Sequence, residues 1–342
     1  VMPQAAIIGT GLIGASIGLA LREQGWATKG WDPSVEALAV ASERGAVDTA
    51  ASIQSAIEAA ELVILSGPLS ANLDTLGHLE TDALVTDVTS VKQPIVHGVP
   101  PRLRFVGGHP MAGREHAGPV AASGSLFRGA AWILCDDQAS ADDLTTMRDV
   151  VASIGANPVV MSADHHDRVV AAISHLPHLL AVALVDLVAG NPDNADLVSG
   201  SFRDLTRVAS AESAWWPEVL AANSESVGEA LDSLIGNLEA LRADIDTGNL
   251  DAVAQSLDRA RVMRAEMAPP VAGVEVILSD RPGEIGLVGQ ALRTSRVDVR
   301  DLQLRHAVHG GGGILTISVR PGEVEPLKAA LTREGFQVEE QA

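Results

Sequence analysis

Tyrosine is absent from the 342 residues, aromatic side chains make up 3% of them, and there is a single cysteine, Cys135. Few rings are therefore available to stack on a ligand. One cysteine excludes any internal disulfide; it sits in the apolar run 130–135 and fits a reducing, cytoplasmic setting. Cations are scarce as well: 24 Lys and Arg stand against 44 Asp and Glu, for a formal net charge of −20. Phosphate backbones and anionic bilayers would be repelled, so neither nucleic acid nor a membrane surface is an expected partner. An anionic substrate would need a local island of positive charge. Long apolar runs are missing too. The most apolar later one, residues 179–189, contains Asp186 and falls short of the ~20 residues of a membrane span. No charged leader or cleavage site precedes a strand opening at Ala5, so no targeting segment is expected. What is left is an ordinary soluble balance, long enough for two or three domains.

Residues 5–8 read as a short buried strand that runs directly into Gly9-Thr10-Gly11-Leu12-Ile13-Gly14. A helix over 13–24 and a second strand over 28–31, ending at Asp32, follow. The first glycine permits a tight turn, the second admits a pyrophosphate to the backbone, and the third lets helix and strand pack closely. Phosphate would then rest on the helix N-terminus. Asp32 is placed to accept hydrogen bonds from a ribose diol and to repel a 2′-phosphate, which favours NAD over NADP.

The α/β rhythm continues with strands at 61–66, 84–87, 103–106, 131–135 and 158–161, and a helix at 141–154. It predicts a mostly parallel, doubly wound sheet. Loops after the strand ends, at Ser66–Pro68, 89–92 and 107–113, are expected to converge on the ligand. The last of these carries His109 between Gly107-Gly108 and Pro110. The glycines predict a turn, and the fixed imidazole is a candidate general base as well as a candidate surface histidine.

From residue 163 the pattern turns helical, with a helix from about 165 and others over 195–209, 213–247 and 250–267. His175 and His178, three apart, share one helical face, and Pro177 between them predicts a kink. Histidines at that spacing can bind metal, but no further ligand accompanies them and none is expected. The pair His165-His166 reads as solvated helix start. Residues 268–273 form a linker, and the remainder orders as βαββαβ, the ferredoxin-like arrangement. Three domains result: a Rossmann domain at 1–162, an all-α substrate and dimerisation domain at 163–268, and a ferredoxin-like α+β domain at 273–342.

The segments GTGLIGASIGLAL, VTDVTSVK, FVGGHPMAG, HDRVVAAISHLPH and GSFRDLTRVA occur in this order over the first 265 or so residues. In that combination the chain resembles the bacterial prephenate dehydrogenases, the TyrA family of tyrosine biosynthesis. Its tail, through DRPGEIG, resembles an ACT domain. The resemblance implies NAD-dependent oxidative decarboxylation of prephenate to 4-hydroxyphenylpyruvate by a cytoplasmic homodimer, with an amino-acid effector, tyrosine, at the ACT domain. It implies that His109 takes the proton of the ring hydroxyl and that Ser90 positions it. Arg207 is implied to bind a substrate carboxylate, His175 and His178 to face the substrate, Trp216 to wall the pocket and Glu115 to lie near its mouth. Gly9, Gly11, Leu12, Ile13, Gly14, Asp32, Ser66 and Pro68 are implied to hold NAD.

Thr89 and Arg114 depart from the family pattern, which has a small residue and a Ser or Thr there. The implied chemistry needs a dianion held, one base and an oriented hydride, with no metal; Arg207 and the histidines are expected to supply the cationic island. The rival substrate is arogenate, with an ammonium in place of the keto group. A non-catalytic NAD-binding amino-acid sensor is the rival of another class, and the set Ser90, His109 and Arg207 argues against it. Related hydroxyacid dehydrogenases use a helical-domain lysine, which Asn223 and its neighbours do not offer.

Overall fold

A computed structural model describes residues 2–114, 116–189, 198, 200–210, 214–267, 271–279, 281–306 and 312–340. It divides into two compact units, residues 1–237 and 238–342. The helices between residues 163 and 222 share the first unit with the sheet.

The first unit opens with β1 (Gln4–Ile8), α1 (Leu12–Glu23), β2 (Ala27–Trp31), α2 (Val35–Glu43), β3 (Asp48–Thr49) and α3 (Ile53–Ile57). It continues with β4 (Leu62–Leu65), α4 (Leu69–His78), β5 (Leu84–Asp87), α5 (Gln93–His97) and β6 (Arg104–Pro110). Then come β7 (Ala131–Cys135), α6 (Ala141–Ser153) and β8 (Asn157–Met161). The eight strands order as β3-β2-β1-β4-β5-β6-β7-β8. All neighbours run parallel except β6 and β7. Short continuous apolar runs such as LVIL of β4 are buried from both faces, as parallel strands require. Ala6, Ile8, Val63 and Leu65 join one apolar cluster while Ala5, Ile7, Leu62 and Ile64 join the other, so core lies on both sides of the sheet. The strand order reverses between β1 and β4, which opens the ligand crevice of this topology at their C-terminal ends.

The sequence reading needs one correction here. Gly107, Gly108 and His109 form no turn; they lie on β6, in register with Cys135, Leu134 and Ile133 of β7. Neither glycine has positive φ. What they provide is closeness: a Cβ on Gly108 would stand 2.6 Å from the Asp87 carbonyl oxygen, and one on Gly107 3.2 Å from Val96 Cγ2.

Beyond β8 the chain enters α7 (Ala163–Val170), capped by the Ser162 hydroxyl, which accepts from His165 N. A π-helical turn at Ala171–His175 follows, then α8 (Leu176–Ala189). The turn lies directly before Pro177, where the sequence predicts a kink. The proline has no N–H for the Ile173 carbonyl and its ring crowds it, so the ladder widens by one residue. The whole run Ala163–Ala189 is long and apolar enough to cross a membrane by length and composition, which the shorter run read from sequence did not reveal. Its buried side carries charged and polar groups, while Ile173, Val182, Val185 and Leu187 are exposed.

After it come α9 (Gly200–Thr206), a 3-10 turn at Arg207–Ser210, α10 (Trp216–Ala222) and α11 (Ser224–Asp246). The single helix expected over 213–247 is therefore broken at Asn223. The start of the helix expected at 195 lies outside the described residues.

The second unit contains α12 (Leu250–Met267), β9 (Ala272–Leu278), α13 (Glu284–Ser295), β10 (Asp301–His306), β11 (Gly313–Val319), α14 (Val324–Arg333) and β12 (Val338–Glu340). The strands order β10-β11-β9-β12, all antiparallel. That is the ferredoxin-like arrangement, with Val274, Val276, Leu315, Ile317, Leu327 and Leu331 in its core.

Candidate active site

The glycine loop is built for a dinucleotide. Gly9 has φ +98°, and a Cβ on Gly14 would sit 2.0 Å from the Gly9 carbonyl oxygen. Nothing lies within 4 Å of a Cβ on Gly11, and the N-terminus of α1 has no side-chain cap. Open space over free N–H groups is what a pyrophosphate needs. Asp32 accepts from Thr10 N at 2.6 Å and from Ser34 N at 2.8 Å, which pins the carboxylate beside the loop. Ser66 donates to the Gly9 carbonyl at 2.5 Å and so tethers the loop to the end of β4. Leu12 and Ile13 open α1, and Pro68 precedes α4.

His109 extends from the same edge of the sheet, on β6. Its Nδ1 lies 2.8 Å from Nε2 of His166, and His166 Nδ1 lies 2.7 Å from Asp167 Oδ1. Asp167 is itself anchored, accepting Lys92 N at 2.7 Å and Gln93 N at 2.8 Å. A carboxylate only accepts, so His166 donates from Nδ1. Burial pushes the His166 pKa down, leaving it neutral with a lone pair on Nε2. His109 must then donate from Nδ1, and its own lone pair is on Nε2. The chain Asp167–His166–His109 thereby assigns the tautomer that a proton acceptor requires. Burial, with help from His166, Lys92 and His175, also holds the His109 pKa well below that of a free imidazole.

Two residues of the site escape the sequence reading: His166 is buried, not solvated, and Asp167 is buried beside it. The signal was present. Ala163, His166, Asp167 and Val170 recur at i, i+3, i+4 and i+7, the spacing of one inward helix face.

The remaining expected residues divide. Asn223 donates to the Asp167 carbonyl at 2.8 Å and lies 3.3 Å from His175 Nδ1. Trp216 meets His175 edge-on at 5.9 Å and stacks on His178 at 4.0 Å between ring centroids. Histidines 109, 166, 175 and 178 and Trp216 thus form one connected cluster. Burial holds His175 at about 4 and lowers His178 as well. At neutral pH these histidines carry no charge, which corrects the expectation that they supply a cationic island. Ser90 is half-buried in the loop after β5, and among the described residues no hydrogen bond joins it to His109. Arg207 is on the exposed 3-10 turn packed against α8. Glu115 lies outside the described residues. Arg114 donates to the Ala121 carbonyl at 3.1 Å. Among the described residues no cluster of ligand types could hold a metal. Cys135, its thiol pushed up to about 12 by burial, is no nucleophile.

A Rossmann sheet with an open glycine loop, an acid at the end of β2 and a neutral, half-buried histidine at the same sheet edge defines a dinucleotide-dependent dehydrogenase as a class. Comparison with known proteins narrows it. Residues 17–160 match the family model for the prephenate dehydrogenase nucleotide-binding domain, and residues 162–259 match the one for its dimerization domain. The chain is 31% identical to prephenate dehydrogenase of Bacillus subtilis over 336 residues, 91% of each protein. It is 31% identical to cyclohexadienyl dehydrogenase of Zymomonas mobilis, over 76% of this chain and 94% of that one. Among solved structures, prephenate dehydrogenase from A. aeolicus in complex with hydroxyphenyl propionate and NAD+ superposes with a TM-score of 0.73 at 29% identity, covering 78% of this chain and 99% of that one. Synechocystis arogenate dehydrogenase gives 0.68 at 28%, covering 78% and 100%. The chain belongs to the prephenate dehydrogenase family.

Proposed function

We propose that the protein catalyses NAD-dependent oxidative decarboxylation of prephenate to 4-hydroxyphenylpyruvate. The observation that carries this reading is the Asp167–His166–His109 chain, which leaves an unprotonated Nε2 on a neutral imidazole at the ligand-binding edge of a dinucleotide fold. NAD+, when bound by the glycine loop, Asp32, Ser66 and Pro68, supplies the hydride acceptor. His109 Nε2 takes the proton of the ring hydroxyl as that carbon becomes a carbonyl. Its Nδ1–H remains held by His166, so the imidazolium forms without reorganisation. Loss of the ring carboxylate as CO₂ restores aromaticity and draws the reaction forward. With the histidines neutral, Arg207 meets a substrate carboxylate, helped by neutral N–H donors. Ser90 orients the hydroxyl, while His175, His178 and Trp216 wall the pocket and Glu115 lies at its mouth. Asp32 selects NAD over NADP.

The deciding assay is NADH formation by the purified protein with prephenate and arogenate in parallel, each with NAD+ and NADP+. Prephenate with NAD+ is expected to turn over. Preference for arogenate, the substrate named for the Synechocystis neighbour, would keep the base and overturn the substrate. Bound NAD+ with no turnover on either would make the protein a sensor.

The exposed apolar side chains of α8, with the dimerization-domain match, support a homodimer. We read the ferredoxin-like region as an ACT domain that binds tyrosine. Its support is a cavity of about 650 Å³ bounded by Ile277, Arg281, Glu284, Leu287 and Phe336, with a cation, a carboxylate and apolar walls to meet an amino acid. Tyrosine is expected to inhibit the full chain, and Arg281→Ala to raise the inhibitor concentration needed by tenfold or more. An unchanged inhibition curve would remove the effector site from this cavity.

A further inference from the structure

The pairing of β5 with β6 ends at Thr86 opposite Val106. Two residues further along β6, Gly108 has left the β5 ladder, yet its N–H and C=O are buried. Backbone groups in that position need partners. Both are supplied by one ion pair. Asp87 Oδ1 accepts Gly108 N at 3.1 Å, and Lys92 Nζ donates to Gly108 O at 2.6 Å. Lys92 also donates to Asp87 Oδ2 and, at 3.0 Å, to the Thr89 hydroxyl. All three ammonium protons are thus used, and both charged side chains are fully buried. Thr89 donates its N–H to Asp87 Oδ2 at 2.8 Å and its hydroxyl also contacts that oxygen.

We propose that Lys92, Asp87 and Thr89 form a positioning element for His109, gripping the Gly108 peptide so that the strand end carries the base rigidly beyond the sheet. Thr89 completes the grip. Without its hydroxyl one Lys92 proton has no acceptor in a dry site, and the ammonium shifts off Gly108. Stability alone does not call for such a group, since burying two charges offsets most of their attraction. An apolar trio of the same volume would fill the space and leave Gly108 unpaired. The Lys92 charge also faces His109, where it favours the neutral, proton-accepting form. The main-chain N–H of Lys92 holds Asp167 in addition, so one segment fixes both the backbone and the side chain of the base.

The inference rests on His109 being the base of the proposed reaction, and the test separates the two. Turnover of prephenate by the unaltered protein is measured first; its absence would end the functional reading and leave the grip to be judged by exchange alone. Thr89→Val is then compared with Thr89→Ser. Valine is expected to lower kcat tenfold or more, with the Kd for NAD+ within twofold, and serine to restore it. By hydrogen exchange, a peptide spanning 105–111 is expected to lose its amide protection at Gly108 at least a hundredfold faster in the valine variant. If valine melts below the assay temperature, Thr89→Ala takes its place with the same expectations. Unchanged kcat and exchange would overturn the proposal, as would a serine variant as impaired as valine.

Discussion

His109→Asn is expected to cut kcat about a thousandfold, within the range a lost general base costs, while NAD+ binding stays within twofold. Asparagine is the informative replacement because its amide nitrogen stands near where Nδ1 stood. It can still donate to His166 Nε2, so the neighbouring hydrogen bonds survive. What it lacks is any atom at Nε2. β6 is held by main-chain pairing to β7, which the change does not touch. The pH profile of the parent follows from the same burial. His109 must be neutral to accept a proton, and its pKa lies well below 6.5. The acid limb of kcat/KM is therefore expected below pH 6.5, with activity falling as pH drops through that lowered value. A limb at or above 6.5 would place the working base elsewhere. Equilibrium dialysis with NAD+ and a pH series with prephenate check both statements.

Much of the fold is local in origin, and that part is readable without coordinates. LVIL is a strand because it is a short apolar run between helical stretches, and LVTD follows in the same α/β rhythm. The glycine loop is identified because its meaning is confined to one strand, one turn and one helix. The π-helical turn before Pro177 follows from a missing N–H. What escaped reading depends on distant segments. Gly108 looks like a turn residue until the end of the β5 ladder is known, because a need for closeness and a need for positive φ leave the same letter. His166 is 57 residues from His109, and nothing in the sequence states that they touch. The charge state of the histidines was equally hidden, since it is set by burial, which turns four candidate cations into neutral donors and acceptors. In the sequence Thr89 is only a departure from a family pattern; in the fold its hydroxyl accepts from Lys92 in the ion pair.

The second large effect is expected at a residue that need not touch the substrate. His166→Phe keeps a ring of similar size in the buried slot but removes the Nε2 acceptor. The His109 Nδ1–H then has no partner, and nothing selects its tautomer. Free imidazole favours a proton on Nε2, which is the atom that must be bare to act. We expect kcat to fall about a hundredfold, the scale seen when a group that orients a reactive side chain is lost. His166→Gln can present its carbonyl oxygen to Nδ1–H, and it is expected to recover a substantial share of that loss. Packing cannot explain such an order, because phenylalanine fills the slot better than glutamine. Nitrogen-15 shifts of His109 give a readout independent of turnover. The parent and the glutamine variant are expected to show the Nδ1–H form, and the phenylalanine variant a mixture with Nε2–H. If phenylalanine and glutamine are equally impaired and the His109 shifts do not change, His166 serves packing alone. The tautomer argument would then fail with it, and Ser90 would become the group to test for orienting the base.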